Sequence, residues 1–356
     1  MRRLVNVLFV VLVSSLIGGA LHAAEDPRIL EQQGHLRRAL ELARTQSAAA
    51  AQDGRALALY ARLVSESGKP DEALLLAERA VKLADADAEA HETLAEVCGV
   101  KAQRAGMFEA YRLAKRVRKE CERAIALDPR QVEARAVLIQ FHLLAPGVVG
   151  GDKKQATRLA DELIAIDAER GWLSKADVAR RTDTTQVEAC LKKAVEASKG
   201  ARARVALADF YTRGAHQDFA KARAMAEQAV AAEPARATGW ALVAALAAHD
   251  GRFADLDTAL GRAEAAVPDN RYPAYAAART LVIEKREPAR AERLLRRYLE
   301  QAPELQTPTE GAARWRLAQA LEQQGRKAEA IAELQTAVRL EPKLEDAKKD
   351  LKRLKG

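Results

Sequence analysis

Six histidines and three cysteines are the side chains of this 356-residue chain best suited to hold a metal or attack a substrate. Their spacing argues against both roles. His22, His35, His91, His142, His216 and His249 are scattered, and none forms the His-x-x-x-His pair with a carboxylate that a zinc protease needs. His91 and His142 fall at helix-packing positions and read as partly buried polar fillers. The run from Gly147 to Lys153 (GVVGGDK) has the residue types of a phosphate loop but not their order. Such a loop sets Gly just before the Lys and follows a strand, whereas Asp152 puts negative charge where phosphate would sit. We read it as a connector, with Asp152 and Gln155 capping the next helix. Cys98, Cys121 and Cys190 are odd in number and cannot all pair internally. On antiparallel helices, Cys98 and Cys121 would lie roughly 13 Å apart, too far for a disulfide. All three serve better as small, inward apolar residues. The sequence therefore assigns no catalytic residue, no metal and no cofactor, and disfavours a hydrolase or transferase.

Two constellations suit binding instead. Arg112, Lys115, Arg116, Lys119 and Arg123 recur at helical spacing, with Ala114, Val117, Cys121 and Ala124 on the opposite side. This basic stripe is either a solvated face, with Glu120 and Glu122 nearby, or a dock for an anionic surface: acidic protein, lipid headgroups or cell-wall polymer. Towards the other end, Tyr272, Tyr275 and Arg279 share one helix face, and Trp315, Arg316 and Gln319 share another. Aromatic and Arg side chains are the usual anchors of binding hot spots, although Tyr275 and Trp315 are equally placed to pack between neighbouring helices. Nucleic acid is not the expected partner, because no aromatic residues interleave with the basic stripe as stacking platforms. The net charge of +8 is mild for such a length.

What positions these side chains is a repeat, seen best from Gly311 to Pro342. Leu317, Ala318 and Leu321 line one helix face, and Gly325 breaks the run at a turn. Ala330, Leu334 and Ala337 line a second helix, which Pro342 ends. This resembles the tetratricopeptide repeat, a helix pair of roughly 34 residues. Leu321 and Leu334 stand where that pattern usually has aromatics, and Trp315 sits one place late. The resemblance implies an all-α, right-handed superhelical solenoid of antiparallel helix pairs. Eight units are expected. The first begins at Gly54, and the second, from Ala88, has an elongated second helix over about Phe108 to Ala126. The third carries the Gly-rich loop, and the fourth, Gly171 to Lys199, is degenerate enough to serve as a hinge between two lobes. Before them, Pro27 to Arg44 reads as one amphipathic helix, and after them Glu345 to Lys355 as a charged terminal cap. The resulting division is 1–24, a signal peptide; 25–53, a helix and linker; 54–200 and 201–342, two sets of units; and 343–356, the cap.

The signal-peptide reading rests on Arg2-Arg3, the apolar run Leu4 to Leu21, and the small residues Ala23 and Ala24 before Glu25. It places the protein in the periplasm. The alternative is an inner-membrane anchor, since the run is just long enough to span. In the resembled family, first helices line a concave groove that holds a peptide or partner segment. Some members clamp a terminal carboxylate there with Lys and Asn. The matching positions hold Ala58 and Arg62, Glu92 and Glu96, then Ala136 and Gln140, so that clamp is not expected. The sequence thus points to an exported, non-enzymatic scaffold or adaptor for a protein or extended peptide, in envelope assembly or a transport complex. The alternative is an accessory subunit docked on an anionic surface through the basic stripe.

Overall fold

The computed structural model describes residues 25–356, and the signal-peptide reading lies outside them. Among the described residues there are nineteen α-helices and no strand. A short pair, α1 (Pro27–Gln33) and α2 (Leu36–Ala49), comes first. Eight hairpins follow. They are α3 (Gly54–Glu66) with α4 (Pro70–Leu83), α5 (Ala88–Ala102) with α6 (Met107–Leu127), α7 (Val132–Leu144) with α8 (Lys153–Ile166), and α9 (Ala168–Thr182) with α10 (Val187–Ala197). The second half holds α11 (Arg202–Tyr211) with α12 (Phe219–Ala232), α13 (Ala237–His249) with α14 (Phe253–Ala266), α15 (Tyr272–Ile283) with α16 (Pro288–Leu299), and α17 (Glu310–Gln323) with α18 (Lys327–Leu340). The last helix, α19 (Glu345–Lys355), covers the end of the array. None of these helices is long and apolar enough to cross a membrane.

Local chemistry sets the boundaries. Asp53, Asp87, Asp152, Asp167 and Asp218 each accept backbone N–H bonds at the start of a helix, as good N-caps do. Gly325 turns α17 into α18 at φ +76°, a left-handed backbone that Gly adopts at least cost. Alanine then decides the packing. Ala61, Ala73, Ala77 and Ala95 are fully buried, and so are Ala277, Ala278, Ala291 and Ala318 within 1%. Small side chains at these contacts let helix axes approach closely. Leucines such as Leu94, Leu163, Leu281 and Leu334 fill the space between, each contributing about 1.5–3 kcal/mol on burial.

One sequence expectation is corrected. Residues Pro27 to Arg44 do not form one helix, because Gly34 takes φ +89° and its N–H closes α1 by bonding the carbonyls of Glu31 and Leu30. The break turns α2 back on α1 and frees the Gly34 carbonyl to accept from Asn270 Nδ2 at 3.0 Å. That bond belongs to a seam. His35 Nδ1 lies 2.8 Å from Asp269 Oδ1, and Arg38 Nη1 lies 3.2 Å from Asp269 Oδ2. The Arg37 N–H donates to Glu304 at 2.8 Å, its Nε donates to the Pro303 carbonyl at 2.8 Å, and Leu305 packs on Leu30, Leu36 and Ala39. Burial alone would push the Asp269 carboxyl up, but the adjoining His35 and Arg38 hold it down at about 2. The array therefore curls until its first helices meet the loops that follow α14 and α16, which makes the concave face a half-open cavity.

Candidate binding cavity

The concave side encloses a cavity of about 1270 Å³. Its walls are the first helices of the first four units, α3, α5, α7 and α9, each of which turns one face inward. Glu31 of α1, the start of α6, the loop 145–149, Arg202, Arg236 and Gln306 complete it. Of the six groove positions the resemblance implied, Arg62, Glu92, Glu96, Ala136 and Gln140 line the cavity, and Ala58 is buried behind it.

One end of the cavity is acidic. Arg62 Nη2 bonds Glu31 at 2.7 Å, while its Nη1 reaches Glu92 only at 4.0 Å. Arg170 is bonded to Glu133. Glu66, Glu92 and Glu96 complete the floor. Burial, followed by the charges of Glu31 and Glu96, pushes the Glu66 carboxyl up to about 8. Burial also raises the Glu92 carboxyl, helped by Glu96, and raises Glu96 itself. Arg62 is held above its ordinary range, because Glu31 and Glu92 outweigh the burial that opposes its charge. The far end is basic, with Arg202 and Arg236, the latter paired with Glu233 at 2.6 Å. Around the C-terminal ends of α5 and α7, Met107, Leu144 and Val148 form a rim of apolar side chains that are 77%, 52% and 81% exposed.

The C-terminal constellation is brought together on neighbouring helices, α15 and α17. Tyr275 is 5% exposed, its ring 5.1 Å from that of Tyr298 and 6.4 Å from that of Tyr272. Tyr272 is half-buried and Arg279 exposed. Trp315 Nε1 donates to Asp350 of α19 at 2.8 Å. Arg316 lies 4.0 Å over the Trp315 ring and donates to Gln319, whose own amide donates to Asp350 at 3.1 Å. These side chains are therefore bonded largely to one another and to Asp350, with Arg316 Nε left without a partner. The cap residue Asp350 that holds them was not singled out from the sequence.

The basic stripe does occupy one side of α6, with Val117, Cys121 and Ala124 buried on the other. Arg116 is committed to Glu78 and lies 3.8 Å from Glu120, and Arg123 is 3.7 Å from Asp85. Lys115 rests 4.5 Å over the Tyr111 ring. Arg112 and Lys119 are exposed, with no ion pair among the described residues. His91, 4% exposed, bonds Glu120 at 2.7 Å and the Asp85 carbonyl at 2.9 Å; His142 bonds the Gly150 carbonyl at 3.0 Å. The three cysteines are buried and unpaired, and burial pushes the Cys98 thiol up to about 11.

The sequence reading missed Glu66, because it is the last residue of α3 and one turn past the groove positions, and Glu31, which reaches the cavity only because Gly34 folds α1 inward. No family model matches the chain, and no curated protein does. Solved structures do. Yeast Tom70 superposes at a TM-score of 0.52 and 16% identity, over 94% of this chain and 82% of that one. Human IFIT1, as a dimer with PPP-AAAA, gives 0.48 at 14% identity, over 92% and 79%. A tetratricopeptide repeat protein from Parabacteroides merdae gives 0.44 at 12% identity, over 74% and 99%. The likeness is one of fold, that of a tetratricopeptide-repeat solenoid.

Proposed function

We propose that this protein is a non-enzymatic scaffold or adaptor that holds an extended segment of a partner protein inside its concave cavity. What carries the reading is a half-open cavity of about 1270 Å³ lined by charged and apolar side chains from the first helices of four successive units. A cavity of that size and mixed lining suits a chain segment better than a compact metabolite, since charged and apolar groups are offered side by side. Tyr272, Arg279, Trp315, Arg316 and Gln319, which do not line the cavity, are proposed as further contacts on neighbouring helices. Export by the N-terminal leader, and a place in envelope assembly or a transport complex, belong to the same proposal.

A photo-crosslinking residue at Gln140, inside the cavity, is compared with one at Lys154, on the exposed face of α8. In envelope extract the first should trap a partner that the second does not, and equal trapping or none would overturn the reading. Mature protein from the periplasm should begin at Ala24 or Glu25; a chain beginning at Met1 in the cytosol would overturn export.

A second reading has its own observation, the exposed and unpaired Arg112 and Lys119 of α6. A surface docked through them on phosphatidylglycerol vesicles should be released by salt, because exposed charges are screened beyond roughly 10 Å at 0.1 M. Retention at high salt would rule it out.

A further inference from the structure

We propose that the acidic floor of the cavity seats a basic side chain. A lysine or arginine of the bound segment enters between Glu66, Glu92 and Glu96, and its apolar neighbour rests on Met107, Leu144 and Val148. The proposal deepens the adaptor reading and rests on it.

Glu92 is the first observation. It is 2% exposed and lines the cavity, yet it makes no hydrogen bond with any described residue. Its nearest cation, Arg62, stands at 4.0 Å and is engaged more closely by Glu31. The Glu92 carboxylate faces the cavity from an otherwise buried side chain, so donors must come from cavity water or from a bound group. Glu66 is satisfied in part: Gln306 donates to its carboxyl, but its Oε2 is buried and without a partner. Five carboxylates, Glu31, Glu66, Glu92, Glu96 and Glu133, thus meet two guanidiniums, Arg62 and Arg170, each already bonded to a Glu. The floor is short of cationic donors.

The kind of cation follows from the surroundings. No group of three or more His, Cys, Asp or Glu among the described residues converges closely enough to hold a metal ion. Ammonium and guanidinium groups donate several directed hydrogen bonds to carboxylates spread over a wider space. Their aliphatic stems need apolar cover, which the rim supplies. A free ion or small amine would leave that rim, three large apolar side chains in open solvent, uncovered. A peptide carrying a basic residue beside an apolar one satisfies both.

The floor also couples binding to protons. Glu66, Glu92 and Glu96 hold protons above the usual carboxylate range through burial and one another's charge, with Glu31, Arg62, Glu133 and Arg170 facing them. A cation favours the ionised forms, so its entry expels protons and affinity rises with pH up to about 8.

An array of random nine-residue peptides tests this with the full chain. The wild type should select Lys or Arg at one position over norleucine or Gln by on the order of 10- to 100-fold, the range of a charge-assisted hydrogen bond. An apolar residue should be selected next to it. The Glu92→Gln, Glu96→Gln double variant keeps the side-chain volume and should lose the basic preference while still binding apolar positions. Calorimetry of the wild type with a selected peptide should show proton release. Selection of neutral or acidic residues, or a basic preference that the double variant retains, would overturn the cationic seat and leave the adaptor reading standing. A cavity that selects no peptide at all would overturn both.

Discussion

The two candidate binding regions hold polar side chains that differ in how far the fold supplies their partners. At the C-terminal end, Trp315, Arg316 and Gln319 are joined to one another and to Asp350, which α19 lays across them. At the N-terminal end, Glu66 and Glu92 face a cavity with too few donors. The difference lies in what comes next along the array. The last hairpin is followed by a helix whose polar face supplies the missing partner. The first hairpins are instead flanked by α1, which brings one more carboxylate, Glu31, to Arg62 and adds no donor for Glu66 or Glu92. Polar groove residues are thus largely bound into the fold at one end and short of donors at the other.

The largest test of that contrast is Tyr275→Ala. Its side chain sits in the core with Tyr298, Leu281 and Leu317, so the loss should be about 3–5 kcal/mol, read as a fall in Tm. Arg279→Ala, exposed one turn away, should change stability by no more than about 0.5 kcal/mol. If the C-terminal face contacts a partner as proposed, Arg279→Ala instead weakens binding by about 1–3 kcal/mol. A Tyr275→Ala protein of unchanged Tm would erase the contrast.

Next comes the pH dependence of the acidic floor. The Glu66 carboxyl stands near 8 in the folded chain against 4.5 as its ordinary value. Between those values the unfolded chain releases a proton that the folded chain keeps, so stability falls as pH rises. It is fully present below about 4.5 and lost above about 8, by on the order of 4 kcal/mol. Glu66→Gln cannot ionise and should flatten the fall of Tm between pH 5 and pH 8. Identical profiles for the two proteins would mean that Glu66 is solvated and the floor is not short of donors. Asp269, held at about 2, titrates below this window and does not confuse it.

A smaller effect is expected at the seam. Asp269→Asn removes the charge that His35 and Arg38 share and should cost about 1–2 kcal/mol. Hydrogen exchange should quicken in α1 and α2 and not in α17 or α18. Were exchange to quicken everywhere, the seam would be part of one global unfolding unit rather than a local closure.

Much of this was written in the sequence, and what was not has a physical reason. The hairpins, the elongated helix that proved to be Met107–Leu127, the Asp152 cap and the α19 cap follow from periodicity and capping, which are local. Glu92 and Glu96 were placed on the groove by their position in the repeat, and they line the cavity. Their meaning was hidden, because a missing partner is a property of the assembled walls. The seam was equally illegible. Residues 34–38 and 269–304 are more than 230 positions apart, and only the accumulated curvature of the intervening units brings them together.

The weakest expected effect concerns the fourth hairpin, between the two regions compared. Its first helix, α9, fits closely on α8, because a Cβ at Gly171 would stand 2.3–2.4 Å from the Ile164 backbone. Val178 of α9 joins the core of Leu138 and Leu163, whereas Leu191 of α10 joins that of Leu207 and Tyr211. Between them lies the short turn Thr184–Gln186, and residues 181–186 are all exposed. Ala176 and Ala179 of α9 also reach the second core, so the hairpin is shared rather than cut. We propose that it is nonetheless the place where the array bends, since the turn has little burial to lose on opening. Brief trypsin treatment should cleave at Arg180 or Arg181 before any other bond and yield two resistant pieces, with Tm before cleavage unaffected by substitutions in the turn. First cleavage elsewhere, in the seam or in the loop 145–151, would show that the acidic cavity and the C-terminal face move as one body.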